Sequence, residues 1–73
     1  MQADTVTVIA AALAIAPEAV TPATSLVTTT EWDSLAHFRL VLAIEEQLGR
    51  QLDSLEIATL LDFAAVAALL GQS

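Results

Sequence analysis

The sequence has no cysteine, no lysine and no tyrosine, and its one histidine is His37. Without cysteine there is no disulfide framework and no thiolate zinc site, so these 73 residues must fold on apolar side chains alone. The same gaps leave nothing from which to build a nucleophile–base pair, and independent catalysis falls away. Positive charge is scarce too: Arg39 and Arg50 face nine acidic residues, for a net charge of −7. Such a field is repelled by phosphate backbones and anionic lipid, and its natural complement is a basic protein partner. No apolar run reaches the ~20 residues that span a bilayer. The early run VTVIAAALAIA has the look of a signal-peptide core, yet no basic residue precedes it and Asp4 sits where positive charge belongs. These features describe one acidic, cytoplasmic, monomeric domain over residues 1–73, with no nucleic-acid or membrane binding. The start at Met1 favours a free-standing protein over a domain cut from a larger one.

What is present is apolar: 56% of the chain, much of it alanine, so the core must come from Leu, Ile and Val on helix faces. The first helix is expected from about Asp4 to Ala16, with Val6, Ile9 and Leu13 on one stripe and Pro17 as its stop. From Pro17 to Trp32 runs a long threonine-rich connection with room for a single turn. A second helix spans about Ser34 to Leu48 and is stopped by Gly49. A short third helix follows Asp53, and a fourth runs from about Leu60 to Leu70, closed by Gly71. No strand pattern competes. The fold class is therefore all-α, a four-helix bundle with a long loop between helices 1 and 2 and an undersized helix 3.

Two stretches share an Asp-Ser-Leu tripeptide, EWDSLAHFRL from Glu31 and QLDSLEIATL from Gln51. In the second, Asp53 with Glu56 three residues on is a capping box, and Thr59 with Asp62 repeats the pattern six residues later. Ser54 is thus a first-turn residue of a connector helix that packs Leu55 and Leu60. The first tripeptide ends the long loop and opens the longest helix. On a helical wheel Leu40, Val41, Ile44 and Leu48 gather as a core stripe, while Phe38, Leu42 and Glu45 occupy a second sector nearer Ser34. A serine at a helix start beside a spare apolar strip is a place to attach something and lay it down. The unsatisfied amides and positive dipole end there favour an attached phosphodiester. Asp33 either caps this helix or helps hold a metal ion while a phosphate is transferred.

The surroundings are more specific than the tripeptide. LAIAPEAVTPATSL followed by WDSLAHFRLVLAIEEQLGRQL resembles the acyl and peptidyl carrier protein family along nearly the whole chain. The likeness runs through the Ala-Pro-Glu-Ala-Val-Thr-Pro segment, Ser25-Leu26, Asp33-Ser34-Leu35, Glu45-Glu46 and the Thr59-to-Asp62 start of helix 4. It implies a bundle of the acyl-carrier type. It also implies that Ser34, supported by Asp33 and Leu35, takes 4′-phosphopantetheine from coenzyme A through a phosphopantetheinyl transferase. The arm's thiol, which this cysteine-free chain must import, then holds an acyl or aminoacyl group as a thioester. The other partners implied are an acyl- or aminoacyl-loading enzyme and transferases with basic docking surfaces. Trp32 stands where the family usually has a small residue, and Ala36 and Arg39 stand where fatty-acid-synthesis carriers tend to be acidic. Those departures point to a specialised polyketide, aminoacyl or hybrid pathway. The alternatives are an unmodified interaction module of the same fold and a housekeeping fatty-acid carrier.

Further residues carry two readings each. His37 lies at the margin of the core stripe and reads as a partly buried, hydrogen-bonded imidazole rather than a ligand. Trp32 either bounds the serine site and touches partners or packs across the loop end. Phe38 and Leu42 are expected to contact cargo or a partner, with Arg39, Glu45 and Glu46 setting the charge that a partner meets.

Overall fold

Four aspartates start the four helices. The structure, a computed structural model, describes residues 4–71, and the elements among them are α1 (Thr5–Leu13), α2 (Ser34–Leu48), α3 (Ser54–Thr59) and α4 (Phe63–Leu70), with a 3₁₀ turn at Pro17–Ala19. The carboxylates of Asp4, Asp33, Asp53 and Asp62 accept from the backbone N–H groups of Thr7, Ala36, Glu56 and Ala65 at 2.8, 2.9, 2.7 and 2.8 Å. Each satisfies one of the amides that a helix start leaves without a partner. The Thr7 backbone N–H accordingly holds the Asp4 carboxyl below the usual carboxylate range. The expected all-helical class is the observed one, and α2 has the expected bounds, including the stop at Gly49, whose φ of 71° suits glycine.

Two boundaries differ from expectation. α1 ends at Leu13 because Ala14 adopts a left-handed conformation, φ 57°, and Ile15 N–H folds back onto Ala10 O at 3.0 Å. That return packs Ile15 against the core, and Pro17 starts the 3₁₀ turn instead of stopping a helix. α4 begins at Phe63 rather than Leu60. The Thr59 hydroxyl donates back to Leu55 O at 2.9 Å and so belongs to the end of α3, while Asp62 is the true cap of α4. Leu60 and Leu61 between them are non-helical for a reason: Leu61 O accepts from Leu26 N–H at 2.8 Å, and Phe63 N–H donates to Thr24 O at 2.9 Å. These bonds flank an isolated bridge between Ser25 and Asp62 and pin the long loop to the head of α4. Within the loop, buried Thr24 accepts from Thr21 N–H through its own hydroxyl at 2.8 Å.

The core is built from one face of each long element. Ile9 of α1, Leu40 and Ile44 of α2, Leu60, and Val66 of α4 are fully enclosed, with Val8, Leu13, Val20, Leu52 and Leu70 around them. α1 packs most extensively on α2, and both touch α4. Each fully enclosed aliphatic side chain contributes ~1.5–3 kcal/mol against exposure, so the fold depends on few residues. Helix α3 adds no buried side chain of its own. The expectation that it packs Leu55 is corrected: Leu55 is 71% exposed, and only Leu60, just beyond the helix, is enclosed. Half-buried Ile57 packs against the core, and hydrogen bonds hold the start of the helix. Its capping box is complete, with Glu56 Oε1 accepting from Asp53 N–H at 3.0 Å. Arg50 donates to both Glu56 carboxylate oxygens, from Nη1 at 3.0 Å and Nη2 at 2.8 Å.

Two outcomes are expected. An L-residue in the left-handed region costs about 1–2 kcal/mol, only partly offset by the greater freedom of an unfolded glycine. Ala14→Gly therefore stabilises the fold by about 0.5–1 kcal/mol, read as a higher urea midpoint at unchanged slope. The second outcome concerns Glu56. The hydrogen bonds from Arg50, then that from the Asp53 amide, bring its carboxyl from the ordinary 4.5 down to about 2. Its support for α3 is complete above pH 4.5 and is lost as the pH falls toward about 2. Protection of the Asp53 and Glu56 amides, relative to an unfolded chain at the same pH, should fall through that window in wild type, and Glu56→Ala should show the lower protection already at neutral pH.

Candidate functional site

Burial of Leu40 and Ile44 fixes how α2 is rotated, and that rotation decides what its other faces present. Ser34, the first residue of the helix, is exposed, and its hydroxyl has no hydrogen-bond partner among the described residues. Asp33 just before it is spent on the helix, accepting from Ala36 N–H at 2.9 Å through Oδ1. The capping role is thus realised, through Oδ1. Among the described residues no three His, Asp or Glu side chains gather as a metal site.

Beside Ser34 lies an open cleft of about 440 Å³ lined by Leu26, Trp32, Asp33, Ser34 and His37. Leu26 comes from the long loop, and its position follows from the backbone bond that ties it to Leu61. Trp32 is 3% exposed and forms one wall. The packing reading is realised, and as a cleft wall Trp32 also bounds the serine site. The Trp32 indole N–H donates to His37 Nδ1 at 3.2 Å, and His37 Nε2 lies 3.1 Å from Ile57 O on α3. Because Nδ1 accepts, the neutral ring carries its proton on Nε2 and donates it to the carbonyl. Both ring nitrogens are thus engaged, and His37 is no free base for Ser34. This is the hydrogen-bonded, partly buried imidazole expected from the sequence, but its partner Trp32 was not foreseen. The signal was present. Trp32 precedes the cap and His37 is the fourth residue of the helix, the two positions where a side chain before a helix meets one in its first turn.

The second sector of α2 is apolar and open to solvent. Leu35, Phe38 and Leu42 are 56%, 60% and 47% exposed, far more than core residues of a 15-residue helix would be. Arg39 and Glu46 are also exposed, and Arg39 forms no ion pair among the described residues. Glu45 is half-buried, and its Oε2 accepts from Leu52 N–H at 2.9 Å. One expected partner-facing charge therefore also closes the α2–α3 connection. Ser54 is exposed as well, but it opens the six-residue α3, away from the cleft. The structure brings together Ser34, Asp33, Trp32 and His37 at one end of α2 and leaves Phe38, Arg39, Leu42 and Glu46 along its outer side. No helix among the described residues is long and apolar enough to cross a membrane.

No protein-family model matches the chain, and no curated protein matches it.

Proposed function

We propose that this chain is a covalent carrier of the acyl or peptidyl carrier type, with Ser34 as the attachment point for 4′-phosphopantetheine. The observation that carries the reading is the free, exposed Ser34 hydroxyl at the head of the longest helix, beside a cleft and an apolar strip. Attachment needs the Ser34 oxygen to attack the phosphorus of coenzyme A that bears the pantetheine. A phosphoester bond forms, the pyrophosphate bond breaks, and adenosine 3′,5′-bisphosphate leaves. The serine proton goes to a base of the transferase, since His37 has both nitrogens occupied. The resulting phosphodiester sits at the positive end of α2, where the backbone dipole favours an anion. Its thiol then carries the cargo as a thioester. Leu35, Phe38 and Leu42 offer apolar contact to a partner or to that cargo, and the net charge of −7 suits partners with basic docking surfaces. The long loop, the short α3 and their order around the bundle agree with a carrier-type arrangement in this proposal.

The second reading, an unmodified helical interaction module, is favoured by the exposed apolar strip alone, which serves docking whether or not Ser34 is modified. Within the carrier reading, the unpaired Arg39 favours a specialised pathway over housekeeping fatty-acid synthesis, whose partner enzymes are basic where they dock.

Incubation with coenzyme A and a broad-specificity phosphopantetheinyl transferase should add the mass of one phosphopantetheine. The gain should vanish in Ser34→Ala and persist in Ser54→Ala. An unmodified wild type, under conditions that convert a control carrier, rules the carrier reading out in favour of the interaction module. Arg39→Glu should leave the fold intact and speed transfer by a fatty-acid-synthesis enzyme. An exposed charge of this kind is worth ~5-fold or less in rate and fades as salt is raised. Equal rates for the two proteins at low salt would remove Arg39 from the specificity argument.

A further inference from the structure

The single tryptophan of the chain is buried, and its indole N–H has one acceptor, the Nδ1 lone pair of the single histidine. That lone pair exists only while the ring is neutral. A protonated imidazole carries N–H on both nitrogens, so its Nδ1–H would point at the Trp32 N–H, donor against donor. The other bond is unaffected, because Nε2–H donates to Ile57 O in either state. Taking up one proton therefore breaks one bond and keeps the other. We propose that His37 is a proton-sensitive latch: neutral, it clamps Trp32 against the head of α2; protonated, it releases Trp32 and opens the cleft beside Ser34.

The geometry makes the release local and directional. His37 stays tied to α3 through Ile57, whereas Trp32 belongs to the last residues of the long loop, held there by its own N–H to Thr29 O at 3.0 Å. The loop is pinned elsewhere at Thr24 and Leu26, and Thr28 is tied back to Ser25, so a freed indole moves the short stretch from Thr29 to Trp32 and leaves the core stripe of α2 in place. Of that stretch Trp32 itself lines the cleft, together with Leu26, Asp33, Ser34 and His37. The latch needs no assumption about what Ser34 carries. It holds for the apo chain under either functional reading.

Other ionisable groups stand on the elements next to the ring and must be told apart from it. Asp33 shares the cleft and Glu31 lies just before it in the loop; Asp53 and Glu56 stand on α3, and Asp62 heads α4. Asp33, Asp53 and Asp62 cap their helices, and Glu56 is paired with Arg50. Carboxyl groups change charge mainly below about pH 5 and imidazole between about pH 5 and 8. The His37→Gln variant and the imidazole nitrogen shifts tell the histidine apart from them.

Trp32 reports on itself, being the sole indole. Its emission, followed from pH 8 to pH 5 in wild type, should shift to the red with a one-proton profile, reversibly and without loss of helical circular dichroism. His37→Gln keeps an acceptor for the indole and a donor for Ile57 but takes no proton, so its emission should match wild type at pH 8 and stay flat. ¹⁵N shifts of the wild-type imidazole should show the proton on Nε2 at pH 8, with the Trp32 indole resonance moving at the same midpoint as the ring. A flat wild-type titration overturns the proposal, as does the same transition in His37→Gln, which would assign it to a carboxylate. A ring protonated on Nδ1 at pH 8 also overturns it. Should His37→Gln fail to fold, the wild-type nitrogen shifts decide alone: unequal midpoints for the ring and the indole refute the latch.

Discussion

The rotation of α2 about its own axis is the constraint on which the rest of this protein depends. It is set by Leu40 and Ile44, which leave no surface exposed and meet Ile9 and Val66 across the bundle core. Turning the helix by one residue, about 100°, would withdraw them and expose ~1.5–3 kcal/mol of apolar burial each. In so small a domain, where total stability is only a few times larger, no alternative rotation competes. With that angle fixed, Ser34 must face solvent at the head of the helix, and Leu35, Phe38 and Leu42 must form an open strip. The site is a by-product of core packing, not a separate construction.

The long connection between α1 and α2 is ordered by different means. It buries Val20, Thr24 and Trp32 and attaches by one backbone bond to Leu61, between α3 and α4, and by another to Phe63, the first residue of α4. A loop held at such points carries little risk of unsatisfied backbone groups and can place a wall beside Ser34 without a helix of its own. The same attachment explains why α4 starts late. Leu60 and Leu61 give up helical geometry so that one enters the core and the other accepts from the loop.

Much of this was legible in the sequence where a local signal and the tertiary demand agree. The Asp33–Ser34 start and Gly49 stop of α2 are such a case, as is the Asp53–Glu56 capping box. Reading failed where the two diverge. Ala14 in the left-handed region has no sequence marker, since alanine is the strongest helix former, and only the return of Ile15 to the core requires the turn there. Thr59 and Asp62 both look like caps, and the choice between them is made by the distant residues Thr24 and Leu26. Leu55 was assigned to packing by hydrophobicity alone, although it is Ile57 that α3 turns to the core. At the site, the two apolar sectors of α2 were visible in its periodicity. The Trp32–His37 pair was marked as well, by its places before the cap and in the first turn of the helix.

The four helix-capping aspartates have a consequence for the acidity of the chain. Four of its nine acidic residues sit at helix starts, each with an oxygen turned to a backbone amide. Asparagine caps a helix about as well as aspartate, through the same side-chain oxygen and without a charge. Almost half of the negative charge thus occupies positions where geometry requires an acceptor but not an anion. The electrostatic character of this protein is therefore separable from its architecture, and its surface field is free to drift over time while the bundle beneath it stays the same.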